Sequence, residues 1–244
     1  MGTSRPGRCA ESGANIIPNP KRIVYGRRQG KKLRPHRQAL IDELLPRLRI
    51  ALRPELDPAG LFDPAPTCVW LEVGSGAGEH LAAQAMSRRD VGLIGSEPFV
   101  NGLASLCALI DEGGLANIRI HDDDARPLMD CLAEASIGRM FLLFPDPWPK
   151  TRHHKRRFVN PATLDACARI LADGAEMRIA TDDRGYCRWM LEHFARHDAF
   201  SWTARGPGDW RQRPNDWPPT RYEAKARDQG RPPVFLTYRR VPRC

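Results

Sequence analysis

The chain has 244 residues, 41% of them hydrophobic, which is enough to bury the core of one sizeable domain. Its 38 Lys and Arg against 29 Asp and Glu leave a formal net charge of +9, which favours a polyanionic partner wherever the charge clusters. Its seven cysteines are odd in number, widely spaced and never C-x-x-C, and no apolar run reaches the roughly 18 residues of a membrane span, so a disulfide framework, a zinc site and a membrane protein are all excluded and a reducing cytoplasm is expected.

Residues 1–20 are rich in Gly, Pro, Ser and Asn and hold too little apolar surface to offset the entropy of ordering, so a flexible arm is expected there. The next stretch, KRIVYGRRQGKKLRPHR from Lys21 to Arg37, carries eight Lys or Arg and no acid. It can follow a phosphate backbone, with Arg27, Arg28, Lys31 and Lys32 as candidate contacts. In RQALIDELLPRL the spacing of Leu40, Ile41, Leu44, Leu45 and Leu48 predicts a helix that anchors this basic segment. A βα rhythm then begins: TCVWLEV and a helix from Glu79, VGLIGSE and a helix from Phe99 to Glu112, NIRIHD and a helix to Glu134, and MFLLF. After a loop come the helix PATLDACARIL, the strand GAEMRIAT, the helix RGYCRWMLEHFARH and two late strands in AFSWTA and VFLTYRR. Strands apolar throughout and separated by helices predict an α/β fold, a doubly wound, mostly parallel, seven-stranded sheet closed by an antiparallel pair, with residues 21–244 as one domain.

At the end of the first strand, LEVGSGAGEHL places Gly74, Gly76 and Gly78 in a turn that lets a nucleoside approach the backbone where a helix begins. The dinucleotide fingerprint G-x-G-x-x-G is broken, because Glu79 occupies its sixth position. Acids recur at successive strand ends: Glu72 inside the glycine motif, Glu97 about 20 residues further on, and Asp124 after the third strand. Ligands of this architecture bind at the carboxyl ends of the strands, so the three carboxylates are expected to converge. Such a set suits a cationic nucleoside, S-adenosylmethionine, better than a pyrophosphate. Singly, Glu97 and Asp124 also read as helix caps.

The fourth strand runs out into FPDPWPKTRHHKRR, Phe144 to Arg157. Prolines on both sides of Asp146 restrict its backbone and hold the carboxylate at the cofactor's reactive end. The block that follows offers Lys150, Arg152, Lys155, Arg156 and Arg157 as phosphate contacts. Trp148 either stacks on a base or supports the loop. Asp182, after the fifth strand, either holds the substrate or caps a helix. His193 and His197 have zinc-pair spacing, but with no H-E-x-x-H glutamate and no clear third ligand no metal is expected.

These residues resemble the tRNA (guanine-N7)-methyltransferases over nearly the whole chain, Lys21 to Arg240. The most specific marks are FPDPWPKTRHHKRR, ATDD from Ala180 to Asp183, and TRYE from Thr220 to Glu223. The resemblance implies a Rossmann-like methyltransferase domain that moves a methyl group from S-adenosylmethionine to N7 of a guanine in the variable loop of tRNA. It implies that Glu72, Glu97, Asp124 and Asp146 contact the cofactor, that Asp146 is also catalytic, and that Lys150, Asp182, Thr220, Arg221, Tyr222 and Glu223 contact the substrate. Asp124 is chosen over Asp122 and Asp123 because the family pattern sets its acid directly before an alanine, here Ala125. A monomer without a second subunit is expected. The rival readings are a basic RNA-binding module without catalysis on the same scaffold, and a methyl transfer to another nucleobase position.

Overall fold

A computed structural model describes residues 25–243, so the expected flexible arm and the first residues of the basic segment lie outside the described residues. Seven strands form one sheet: β1 (Cys68–Val73), β2 (Val91–Ser96), β3 (Ile118–His121), β4 (Ile137–Leu143), β5 (Leu171–Thr181), β6 (Phe200–Trp202) and β7 (Val234–Arg240). Their order is β3-β2-β1-β4-β5-β7-β6. The first five run parallel, while β7 pairs antiparallel with both β5 and β6. Chain order reverses between β1 and β4, which opens a crevice at their carboxyl ends.

The continuous apolar strands are explained by burial on both faces: Leu71, Leu93, Ile94 and Ile179 have no more than 0% exposure. One face is covered by α5 (Ala125–Cys131), α6 (Pro161–Ile170) and α7 (Arg184–Phe194), which bring Leu128, Leu164, Met190 and Phe194 to the core. The other is covered by α1 (Pro35–Glu43), α2 (Leu45–Leu48), α3 (Glu79–Ser87) and α4 (Val100–Gly113), through Leu45, Leu81 and Leu106. Burying each such side chain contributes about 1.5–3 kcal/mol. Helix starts follow local chemistry. Asn160 and Thr163 form a reciprocal capping box with Pro161 at the first turn of α6, and Asp183 accepts the Tyr186 N–H at the start of α7.

Three elements differ from expectation. The first helix is split into α1 and α2 around Leu44, because Pro46 has no N–H to continue the ladder. The block Thr151–Arg156 winds into a 3-10 helix. Between the two late strands lie α8 (Gly208–Arg211) and α9 (Arg221–Asp228), whose weakly apolar sequences carry little periodicity. Trp217, 1% exposed, pins the segment between them onto the sheet against Phe141 and Phe235.

Candidate active site

The glycine loop leaves β1 with Gly74, Gly76 and Gly78 at φ of +71°, +57° and +83°, the left-handed region that other residues rarely adopt. The helix α4 packs directly on it. A side chain at Gly102 would place its Cβ 2.4 Å from the Gly76 carbonyl oxygen, and one at Gly78 would meet the Leu106 side chain at 2.5 Å. Glu97, just past β2, shapes the loop from below: its carboxylate accepts the Gly76 N–H at 2.7 Å and the Phe99 N–H at 2.9 Å. Burial pushes the Glu97 carboxyl above its ordinary range; the two N–H donors oppose this, and the neighbouring charges of Asp146 and Glu72 add to it.

Three consecutive acids after β3 are divided among three tasks. Asp122 pairs with Arg49 at 2.7 Å and Asp123 with Arg28 at 2.8 Å. Asp124 caps α5, accepting the Arg126 N–H at 2.9 Å and its guanidinium at 2.8 Å. Asp124 is thus the helix cap that the sequence allowed, and it also borders the hollow described next.

The turn after β4 carries Asp146 between two residues in the left-handed region, Phe144 at φ +50° and Trp148 at φ +44°. Non-glycine residues persist there only when the surroundings over-determine them, and they concentrate at functional sites. Asp146 is exposed at the mouth of the hollow, and the partial desolvation there pushes its carboxyl above its ordinary range. Glu97, Asp124 and Asp146 open into one hollow of about 550 Å³, floored by Gly74 and Gly76.

Two segments wall this hollow. On one side stand Tyr25, Gly26 and Arg27, held because Asn101 accepts the Gly30 N–H and donates to the Lys31 carbonyl. The Arg156 guanidinium lies 5.0 Å from the Tyr25 ring and 4.9 Å from that of Trp148. On the other side, the first turn of α9 brings Arg221 and Tyr222. Tyr222 lies 6.4 Å from the Phe144 ring at an interplanar angle of 26°, and Arg221 pairs with Glu79 at 3.3 Å.

Several sequence-predicted residues stand elsewhere. Glu72 lies close enough for its charge to act on Glu97 but does not line the hollow. It is 3% exposed on the face of β1 that meets α3, where its carboxylate lies 2.7 Å from His80 Nδ1. The side-chain alternation of a strand decides this, and the partner eight residues further on has no local signal. Gly78 serves the close approach of α3 and α4 and does not line the hollow. Arg157 is a correction to the basic block: it is 3% exposed, and its Nε–H donates to the Pro147 carbonyl at 2.9 Å. Arg28, half-buried, is an internal tie to Asp123. By contrast Lys31, Lys32, Lys150, Arg152 and Lys155 are exposed.

The TRYE tetrapeptide splits. Arg221 and Tyr222 face the hollow, whereas Thr220 caps α9 by accepting the Glu223 N–H, and the buried Glu223 is held by Arg213 at 3.1 Å and Arg227 at 3.0 Å. Asp182 pairs with Arg231 at 2.8 Å outside the hollow, and the helix cap beside it is Asp183. Sequence reading missed Tyr25, Phe144, Asn101 and Gly102 as wall and floor residues; only the position of Phe144 and Tyr25 within marked segments hinted at them. Among the described residues no group of His, Cys, Asp and Glu could hold a metal ion, and no helix is long and apolar enough to cross a membrane.

Residues 66–236 match the family model Methyltransf_4, described as "Putative methyltransferase". Similar solved structures include the 16S rRNA methyltransferase KamB, with a TM-score of 0.51 at 15% identity over 72% of this chain and 89% of that one. An rRNA methylase from Streptococcus thermophilus gives 0.50 at 13% identity, over 72% and 87%. These share the fold. The tRNA (guanine-N(7)-)-methyltransferase of Rhodospirillum rubrum is 53% identical over 93% of this chain and 91% of its own length, and that of Paramagnetospirillum magneticum 48% identical over 97% and 100%. With a carboxylate-ringed hollow at the switch point of the matching sheet, and identity of this extent across it, the chain belongs to the tRNA (guanine-N(7)-)-methyltransferase family.

Proposed function

We propose that this protein transfers a methyl group from S-adenosylmethionine to N7 of a guanine in the variable loop of tRNA. The observation that carries the reading is that Glu97 and Asp146 open into one hollow whose lining residues Trp148 and Arg156 bracket, in the chain, the exposed cations Lys150, Arg152 and Lys155. The donor set fits the cofactor: Gly74 has no atom within 4 Å of where a side chain would begin, leaving the backbone open to a close approach, and the acids ringing the hollow suit a cation. Glu97 and Asp124 would hold the nucleoside, with the glycine loop beneath it. When bound, the sulfonium supplies an electrophilic methyl group.

Guanine N7 carries a free lone pair at neutral pH, so no side chain has to remove a proton before transfer. Positioning and electrostatics therefore carry the acceleration. Asp146 orients the base through its N–H groups and, ionised, stabilises the positive charge that the ring acquires. Arg221 and Tyr222 close the other side and exclude water. The exposed cations grip phosphate, and the target base unstacks into the hollow, as RNA enzymes that read shape require. Lys150, Asp182, Thr220 and Glu223 support this as phosphate contact, rim and helix anchors. We place the protein in the cytoplasm as a monomer, which sedimentation at assay concentration tests directly.

The deciding experiment incubates purified protein, labelled S-adenosylmethionine and bulk tRNA, then identifies the labelled nucleoside. Label in 7-methylguanosine is expected. Label at another base position, or tight tRNA binding with no transfer, would replace this reading with one of its rivals.

A further inference from the structure

We propose that Arg157 is the positioning residue of the Asp146 loop, acting through the Pro147 carbonyl and never touching RNA. The inference rests on the methyl-transfer reading and deepens it. Pro145, Pro147 and Pro149 bring no N–H to residues 145–149, and among the described residues the amides of Asp146 and Trp148 donate to no protein acceptor. The hydrogen bond from Arg157 Nε–H to the Pro147 carbonyl, 2.9 Å, is then the one that ties this segment to the body among the described residues. It falls between the two left-handed residues, Phe144 and Trp148, whose backbones need external restraint to persist.

Arg157 itself is seated between two aromatic rings. Its guanidinium lies 5.0 Å from the Tyr186 ring and 5.0 Å from the Trp189 ring, both on α7. Those rings are anchored in turn: the Tyr186 hydroxyl accepts the Val159 N–H at 3.2 Å, and Trp189 Nε1–H donates to the Val159 carbonyl at 2.6 Å. Asp183, the cap of α7, adds a favourable charge. Arg157, a residue 3% exposed in such a seat, is withdrawn from the exposed cations Lys150, Arg152 and Lys155. The last residue of the basic run thereby sets where Asp146 stands, by linking its turn to the rigid start of α7.

The test compares wild type with Arg157→Lys, which keeps the charge but has no Nε–H at the carbonyl, and Arg157→Met, which keeps only the apolar stem. Three quantities are read: kcat at saturating tRNA and S-adenosylmethionine, the slope of log tRNA affinity against log salt, and the NMR order parameters of the Asp146 and Trp148 amides. Expected is a fall in kcat of about tenfold or more for Arg157→Met, a smaller one for Arg157→Lys, and lower order parameters in this loop. The salt slope stays at the wild-type value. A slope shallower by about 0.7–0.9 would make Arg157 an RNA contact and overturn the proposal. Unchanged kcat and loop order parameters overturn it too, as does loss of hydrogen-exchange protection throughout β4 and β5 in both variants, which marks a residue of the general fold. An inactive wild type sinks the methyl-transfer reading instead, and the loop order parameters still report on Arg157.

Discussion

Asp146 sits on the open side of the hollow, with partial desolvation pushing its carboxyl up and no cationic side chain acting against that shift. Its charged form is the one the transfer uses. A group whose pKa is raised in the ligand-free protein takes up its proton earlier on acidification than an ordinary carboxyl of about 4, so wild-type kcat/KM, which reports the free enzyme, falls with pH at a midpoint above that range. Asp146→Asn removes this limb of the profile and lowers kcat by about 10²–10³, the loss typical of a preorganised electrostatic group. Steady-state rates across pH check both; turnover unchanged in the variant would take Asp146 out of the mechanism. The same raised pKa makes the ligand-free protein bind this proton more tightly folded than unfolded, so the contribution of Asp146 and Glu97 to stability grows as pH falls through that window. Glu97 feels the Asp146 charge, so in Asp146→Asn its own protonation shifts to lower pH.

At the scale of elements, the contact between α4 and the glycine loop governs the floor. The Gly102 position faces the Gly76 carbonyl so closely that an added methyl would lie 2.4 Å from it, and a backbone oxygen yields less than the end of a flexible side chain. Gly102→Ala is expected to cost about 1–3 kcal/mol of stability and to weaken cofactor binding by tenfold or more, because Gly76 and Glu97 move with the loop. Calorimetry with S-adenosylmethionine alone measures this, and wild-type affinity in the variant would show that the loop tolerates displacement. The helix α9 plays the matching part overhead. Thr220, Glu223, Arg213 and Arg227 hold its first turn, and that turn delivers Arg221 and Tyr222 to the hollow.

For the whole molecule, the net charge of +9 matters through its placement. Lys31, Lys32, Lys150, Arg152 and Lys155 are exposed, whereas Arg28 and Arg157 are consumed by internal contacts. Charge reversal at Lys150, Arg152 and Lys155 is expected to weaken tRNA binding and to flatten its salt dependence by about 0.7–0.9 in log-log slope for each lost phosphate contact. Cofactor affinity should stay at the wild-type value, so filter binding over a salt series together with calorimetry separates this from misfolding. Loss of both affinities together would count against dedicated RNA contacts.

The amino-acid sequence by itself determined the sheet, because apolar runs such as CVWLEV and VGLIGS can be satisfied only by burial on both faces, and helix periodicity between them dictates parallel crossovers. It also determined the glycine turn and the proline-fenced Asp146, since backbone-restricted residues write local conformation directly. What it left open was every question of direction and partnership. Glu72 turned to His80, Asp123 to Arg28, Asp182 to Arg231 and Arg157 to Pro147, partners 8, 95, 49 and 10 residues away in the chain. A charged residue carries the same letter whether it meets solvent, ligand or a buried mate, and only the packed chain decides which, because the cost of burying a charge depends on what the fold sets beside it.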